Sequence, residues 1–361
     1  MKKNKKLNIA IIGLGNIGTY LYKYLSTNQK ILFKKNNCLP NITFVSAKNK
    51  NKKRGIKISK KKWLNNFLDA TKSKNVDVIV ELIGGAEGAA KKLVFNALKN
   101  KKHVVTANKA LIAKYGDQLS KIAEQNNVNL EFEAAVCGGV PIIRSLKESF
   151  IANKINKVYG IFNGTSNYIL SSMDKENKNF KDVLLNAQKL GFAESNPISD
   201  LNGDDVAAKL KILSSLCFNS FIDDKIHVEG IKHIDKVDID NANKLGYKIK
   251  LLGVSEIIEN KVYQRVHPSL IKKSSYIASI DGVLNAVIVN GTPIGESIIQ
   301  GEGAGPKATT SALISDISSI LRGNIKFPFS ISSNERKKIN YERIDERFFS
   351  AYLRFEVLDK P

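Results

Sequence analysis

Leu7-Asn8-Ile9-Ala10-Ile11-Ile12-Gly13-Leu14-Gly15-Asn16-Ile17-Gly18 reads as a short apolar strand that ends in a glycine-rich turn. A helical pattern through Tyr20, Leu21, Tyr24 and Leu25 follows it. A lone Gly-x-Gly-x-x-Gly is a weak signal, but between a strand and a helix it is a dinucleotide fingerprint. Gly13 permits the tight turn, Gly15 lets backbone amides approach a pyrophosphate, and Gly18 allows close helix–strand packing. Asn16 and Ile17 complete the turn and join the glycines as expected cofactor contacts. A second strand of parallel type, Ile42 to Ala47, comes next. The fold class expected is α/β, with an N-terminal Rossmann-type doubly wound parallel sheet.

Two further strand ends point at the same crevice. Val76 to Glu81 turns through Gly84 and Gly85, and Lys102 to Thr106 runs into Ala107-Asn108-Lys109. In an open doubly wound sheet, ligands bind outside the carboxyl ends of the strands. Gly84, Thr106 and Lys109 are therefore expected at the cofactor and substrate, with the Thr106 hydroxyl beside the nicotinamide ribose. A carboxylate at the end of the second strand would grip a ribose 2′-hydroxyl and favour NAD. The chain instead runs Ala47-Lys48-Asn49-Lys50-Asn51-Lys52-Lys53-Arg54. Cations there favour a 2′-phosphate, so NADP is the cofactor expected, with NAD possible.

Residues 187–213 carry the most chemistry. Glu194, Asp200 and Asp205 surround a glycine-containing turn that leads into a helix. Asp205 and Lys209 are four apart and share a helix face, while Val206, Leu210 and Leu213 form an apolar one. Spacing alone describes many surface helices with an ion pair. Acids and an amine near a helix N-terminus also suit a small zwitterion, whose ammonium needs carboxylates and whose reacting oxygen needs a proton donor.

The segment closely resembles the signature of the homoserine dehydrogenase family. The core Glu-x-x-Pro-x-x-Asp-Leu-Asn-Gly-x-Asp-x-x-x-Lys is complete from Glu194 to Lys209, and Thr-Ala-Asn-Lys-Ala at 106–110 is similar to the family's pattern too. The resemblance spans residues 7 to 322 or so. It implies reversible, NAD(P)H-dependent reduction of L-aspartate 4-semialdehyde to L-homoserine, in threonine, methionine and isoleucine biosynthesis. In that reading Lys209 is the proton donor and Lys109 orients substrate and cofactor. Glu194, Asp200 and Asp205 bind the substrate, with Glu194 and Asp205 on its ammonium. Lys48 matches a basic cofactor-binding position, and Gly191 and Gly303 lie near the cofactor. The resemblance also implies a monovalent cation such as Na⁺, held by Glu133, Val136, Gly138 and Val140; hard oxygen ligands suit such an ion. Cys137, in the same loop, reads as structural because no histidine stands at a suggestive spacing. A homodimer or higher homo-oligomer is expected.

Beyond residue 145 the pattern changes. Val158 to Phe162 reads as a strand entering a helix capped by Thr165 or Ser166. Strand-like runs follow at 226–231, 263–268 and 282–289, edged by Gly or Pro. The organisation expected is a nucleotide-binding domain at 1–145, completed by a helix returning at 303–323. A mixed α/β substrate and dimerisation domain takes 146–302. The remainder, 324–361, is expected to be a linker followed by one strand, Tyr352 to Leu358. That strand looks like the start of an ACT regulatory domain, and so the protein is expected to be insensitive to threonine.

Composition bounds what is left. The chain has 361 residues, 43% hydrophobic, which is room for two cored domains. It has 57 Lys and Arg against 34 Asp and Glu, a formal charge of +23. Those lysines are spread along the chain and accompanied by many Asn and Ile, so neither nucleic acid nor a membrane is expected as partner. No apolar run reaches membrane-spanning length. Three cysteines without pairing spacing fit a reducing cytoplasm. The four histidines, His103, His227, His233 and His267, show no metal-ligand spacing. An aspartate-semialdehyde dehydrogenase would need an activated Cys with a His base. A nucleotide-sensing nucleic-acid binder would not need Asp205 and Lys209 together, and steep salt dependence would mark it.

Overall fold

Apolar runs broken by glycine turns build a first sheet of five parallel strands, in the order β2-β1-β3-β4-β5. These are β1 (Lys6–Ile12), β2 (Leu39–Ser46), β3 (Val78–Glu81), β4 (His103–Thr106) and β5 (Leu130–Glu131). The computed structural model describes residues 5–343, 347–355 and 357. All four residues of β3 are buried, the mark of a strand covered on both faces. Helices Asn16–Thr27 and Pro306–Leu321 cover one face through Leu21, Leu25, Leu313 and Ile317. Helices Ala89–Lys99 and Lys109–Gln125 cover the other through Leu93, Leu98, Leu111 and Ile112. The order of strands reverses between β1 and β3, and that reversal opens a crevice at their carboxyl ends.

The glycine turn after β1 has the geometry its sequence requires. Gly13 sits at φ +108°, where a Cβ would meet the Leu82 carbonyl oxygen at 2.3 Å. A Cβ on Gly18 would meet the Gly13 oxygen at 2.0 Å, whereas Gly15 faces open space. The outer glycines thus serve close packing, and the middle one leaves room for a ligand.

A second, mixed sheet holds seven strands, in the order β11-β10-β6-β8-β9-β12 with β7 paired to β9. They are β6 (Lys154–Ile161), β7 (His227–Val228), β8 (Tyr247–Ile258), β9 (Lys261–Lys272), β10 (Leu284–Thr292), β11 (Gly295–Glu302) and β12 (Asn340–Glu342). Helix Asp204–Phe218 lies on this sheet and buries Val206, Leu210 and Leu213. It comes close because Gly253 has no side chain: a Cβ there would meet Phe162 at 2.8 Å and Val206 at 2.9 Å. Among the described residues no helix is long and apolar enough to cross a membrane.

The C-terminal segment differs from the linker that the sequence suggested. Phe329 is fully buried against Phe132, with ring centroids 5.2 Å apart. The Arg336 guanidinium sits 4.2 Å from the Phe329 ring and donates to Ser215 Oγ and the Ser220 carbonyl. β12 then joins the second sheet in parallel with β9. This stretch reads as loop because its buried groups are isolated rather than periodic. Replacing Phe329 with Ala should cost about 3–5 kcal/mol, the usual loss for a buried Phe. Urea unfolding measures it, and a loss under 1 kcal/mol would mean the segment is dispensable to the core.

The expected strand from Tyr352 does not form at Tyr352–Phe355 or Val357; Glu356 and Leu358 lie outside the described residues. Polar side chains capture the segment instead. The Tyr352 hydroxyl donates to Asp238, and Arg354 pairs with Asp235 at 2.9 Å and Asp238 at 3.0 Å. Both acids stand at the N-terminus of helix Lys236–Lys244.

Candidate active site

Three elements converge where the two sheets meet. β6 leads through Phe162 to Asn163, which caps helix Gly164–Glu176: its Oδ1 accepts the Ser166 N–H at 2.7 Å. The cap is therefore Asn163 rather than Thr165 or Ser166, because its extended backbone precedes the first helical turn. Asn163 Nδ2 donates to Asp200 Oδ1 and Asp205 Oδ2, both at 2.8 Å. Helix Asp204–Phe218 brings Asp205 and Lys209 onto one face, with Lys209 Nζ 2.7 Å from Asp205 Oδ2. Lys209 also donates to the Phe162 carbonyl at 2.6 Å. From the nucleotide-binding side, Lys109 reaches Asp205 Oδ1 at 2.9 Å. It opens helix Lys109–Gln125, which Asn108 caps by accepting the Leu111 N–H at 3.1 Å.

Electrostatics favours a fully ionised triplet. Burial opposes the Asp205 carboxylate, but Lys209 and then Lys109 outweigh it and hold its carboxyl well below the usual range. Burial likewise opposes the Lys209 ammonium, yet Asp205 raises it above its ordinary value. Burial, followed by the Asp205 charge, pushes Asp200 up. Lys209 is a floor residue, 9% exposed, whereas the Lys109 side chain is 39% exposed at the mouth.

The structure thus gathers Lys109, Asp200, Asp205 and Lys209. Glu194 and Gly191 lie on an exposed loop that the Thr165 hydroxyl tethers by donating to the Phe192 carbonyl at 2.7 Å. The Glu194 carboxylate has no ion-pair partner among the described residues. Gly303 is buried beside the loop after β5: a Cβ on Gly138 would meet its carbonyl oxygen at 2.5 Å. Cys137 is buried in that loop, and burial pushes its thiol up to about 11, so it is no nucleophile at neutral pH. Thr106 departs from expectation. It is fully buried and donates its hydroxyl to Glu81 at 2.5 Å, so that hydroxyl faces Glu81 rather than the open crevice. A buried carboxylate is the stronger acceptor.

At the first glycine turn a crevice of about 390 Å³ is bounded by Gly15, Asn16, Lys52, Lys53, Arg54 and Pro306. Room at Gly15 and cations at the far wall fit a dinucleotide with a phosphorylated ribose. Arg54 spends most of its donors on the protein, including Nε to the Leu14 carbonyl at 2.9 Å and Nη1 to that of Lys52 at 2.8 Å. It shapes the wall, and the exposed lysines around it remain available.

The loop after β5 offers oxygens. Glu133 accepts the N–H groups of Ile143 at 2.9 Å and Arg144 at 2.7 Å, and burial pushes its carboxyl up to about 7. The carbonyls of Val136 and Gly138 accept no hydrogen bond among the described residues, while that of Val140 accepts the Ile142 N–H at 2.8 Å. Buried hard oxygens without donors fit a bound cation. Among the described residues no group of three or more His, Cys, Asp and Glu side chains could hold a metal.

Sequence reasoning missed Asn163, the Phe162 carbonyl and Glu81. Asn163 before Gly-Thr-Ser is a recognisable cap, and Glu81 is an acid closing an otherwise apolar strand. The carbonyl has no sequence signal.

Comparison with known proteins agrees with this geometry. A family model described as homoserine dehydrogenase matches residues 141–318, and one described as the NAD binding domain of homoserine dehydrogenase matches 13–133. A homoserine dehydrogenase of Neisseria gonorrhoeae is 42% identical, over 99% of this chain and 83% of its own length. That of Helicobacter pylori is 41% identical, again over 99% and 83%. A solved homoserine dehydrogenase structure from Thiobacillus denitrificans superposes with a TM-score of 0.89 at 36% identity, covering 94% of this chain and 80% of that one.

Proposed function

This chain belongs to the homoserine dehydrogenase family, an oxidoreductase acting on a CH–OH group through a nicotinamide cofactor, and from that premise we propose how its residues divide the work. The observation that carries the reading is the buried chain Lys109–Asp205–Lys209 at the junction of the two sheets. When bound, the nicotinamide supplies or takes the hydride.

Lys209 manages the proton. An ammonium has three N–H donors, and Lys209 gives two inside the protein, to Asp205 and Phe162. The third serves the reacting oxygen. As the aldehyde carbon of L-aspartate 4-semialdehyde is reduced, its oxygen gains charge and Lys209 passes it a proton, becoming a neutral amine. In the reverse direction that amine takes the hydroxyl proton of L-homoserine. Asp205 stays ionised throughout and holds both lysines. Its two oxygens are occupied by Lys109, Lys209 and Asn163, so the substrate ammonium falls to Asp200 and the exposed Glu194. The direct test is NADPH oxidation with L-aspartate 4-semialdehyde, yielding one L-homoserine per NADPH. Wild-type protein without that activity would overturn the reading.

The cofactor is NADP by preference. Support comes from the cationic end of β2 and the lack of a carboxylate there. Lys48 is exposed, so its removal should raise the NADPH Michaelis constant by up to about 5-fold, the worth of an exposed ion pair. The NADH constant should not move. Steady-state kinetics with both cofactors checks this, and a wild type that prefers NADH would contradict it. Glu133 and the carbonyls of Val136, Gly138 and Val140 would hold a monovalent cation, which would neutralise buried negative charge and stiffen the loop beside Gly303. The assembly is a homodimer, with half-buried Tyr159, Ile271 and Ile298 on the second sheet as the contact to examine. In the cell it supplies the threonine, methionine and isoleucine branches.

A further inference from the structure

β3 ends in a carboxylate cut off from the surface: Glu81 is 0% exposed and follows Val78-Ile79-Val80. A buried carboxylate persists only where donors replace water. Glu81 Oε1 accepts the backbone N–H groups of Ile83 at 2.7 Å and Gly84 at 3.0 Å. Oε2 accepts the Thr106 hydroxyl. Thr106 Oγ1 in turn accepts the Asn108 N–H at 3.0 Å, and Asn108 Nδ2 returns to the Gly85 carbonyl at 2.7 Å. These bonds join the turn after β3 to the turn after β4 and to the helix that carries Lys109.

The bonding pattern sets what the first turn can recognise. Ile83, Gly84 and Gly85 are exposed on the crevice, yet the amides of Ile83 and Gly84 point inward to Glu81. With those two amides spent and the Gly85 carbonyl taken by Asn108, the carbonyls of Ile83 and Gly84 are the turn's acceptors without a hydrogen bond among the described residues. Those oxygens suit hydrogen-bond donors such as sugar hydroxyls or a carboxamide NH₂.

We propose that Glu81 is a positioning residue for the cofactor: it turns the 83–84 amides inward and, through Thr106 and Asn108, locks that turn to the Lys109 helix. This rests on the reading that brings the cofactor to Gly84. The test is the NADPH dissociation constant of purified variants by fluorescence titration, alongside kcat. Glu81→Gln keeps the shape but turns an NH₂ towards Thr106, leaving the threonine proton without its acceptor. It should weaken NADPH about 10-fold, with kcat falling less, a charge-assisted hydrogen bond being roughly that strong. Thr106→Val should weaken it similarly, Thr106→Ser less, and the Glu81→Gln/Thr106→Val pair no more than either alone. Unchanged affinity in Glu81→Gln, or losses that multiply in the pair, would overturn the proposal. If Glu81→Gln does not fold, the Thr106 variants decide: valine binding as tightly as the wild type overturns it. Gly84→Ala separates the two readings. Unchanged affinity there removes the cofactor from this turn and the proposal with it, whereas a loss there with none in Glu81→Gln removes the proposal alone.

Discussion

Lys209→Ala is expected to lower turnover by about 10²–10⁴-fold, the usual worth of a placed general acid. Lys209 is buried, ionised and two-thirds committed to Asp205 and Phe162, so nothing else on its helix face can deliver a proton to the same point. Cofactor affinity should stay within a factor of two or so, because the glycine turn is formed by β1 and its helix and not by the Lys209 helix. Steady-state kinetics with NADPH and L-aspartate 4-semialdehyde, with a cofactor titration beside it, checks both halves. Near-normal turnover would remove Lys209 from the role.

Asp205→Ala should do comparable damage by another route. It leaves two ammonium groups facing each other, one of them buried, and losing one partner of a buried pair costs about 3–5 kcal/mol. Without Asp205, burial drives the Lys209 ammonium towards the neutral amine, so reduction of the aldehyde should recover partly as pH falls. The pH dependence of wild-type stability has a definite sign. Asp205 is depressed, so its contribution is present above the ordinary carboxylate range and fades only as pH falls through its lowered value. Lys209 is raised, so its contribution is full below the ordinary value of 10.5 and fades as pH rises beyond it. Urea unfolding of wild type and variant should therefore differ more as pH falls, because the wild-type contributions are full near neutral pH whereas the variant's buried amine must take up a proton without a partner. A difference that vanishes at pH 7 would mean the pair does not form.

The nucleotide-binding half was legible because its signals are local. β1, the glycine turn and the strands ending at Glu81 and Thr106 each declare themselves within a few residues, and parallel strands buried on both faces read as unbroken apolar runs. The second half resists that method. β8 escapes notice because Lys248 and Lys250 interrupt its apolar run. Lys250 is buried all the same, made tolerable by Asp281 and Asn167 at 2.7 and 3.1 Å from sequence-distant elements. β12 is three residues long and owes its place to Tyr341, whose hydroxyl meets Ser220 at 2.8 Å.

The site divides the same way. Asp205 and Lys209 were visible as a helix pair, and Lys109 as a strand-end lysine, but their meeting is tertiary. Thr106 was misjudged for the same reason: the sequence places it at a strand end, while Glu81, twenty-five residues earlier, decides where its hydroxyl points. The alternation after Tyr352 was read as a strand, and the acids at 235 and 238 that hold Tyr352 and Arg354 cannot be anticipated from it.

The division of labour between the two lysines can be read from single-turnover oxidation of bound NADPH by L-aspartate 4-semialdehyde. Lys209→Ala and Lys109→Ala are compared with substrate varied to saturation. Lys209→Ala should remain slow at every substrate concentration, because the proton is missing. Lys109→Ala should approach a rate within about 10-fold of wild type once saturated, because what it loses is orientation. The reverse pattern, a saturable Lys209→Ala and a Lys109→Ala that no substrate concentration rescues, would assign the proton to Lys109 and contradict the mechanism.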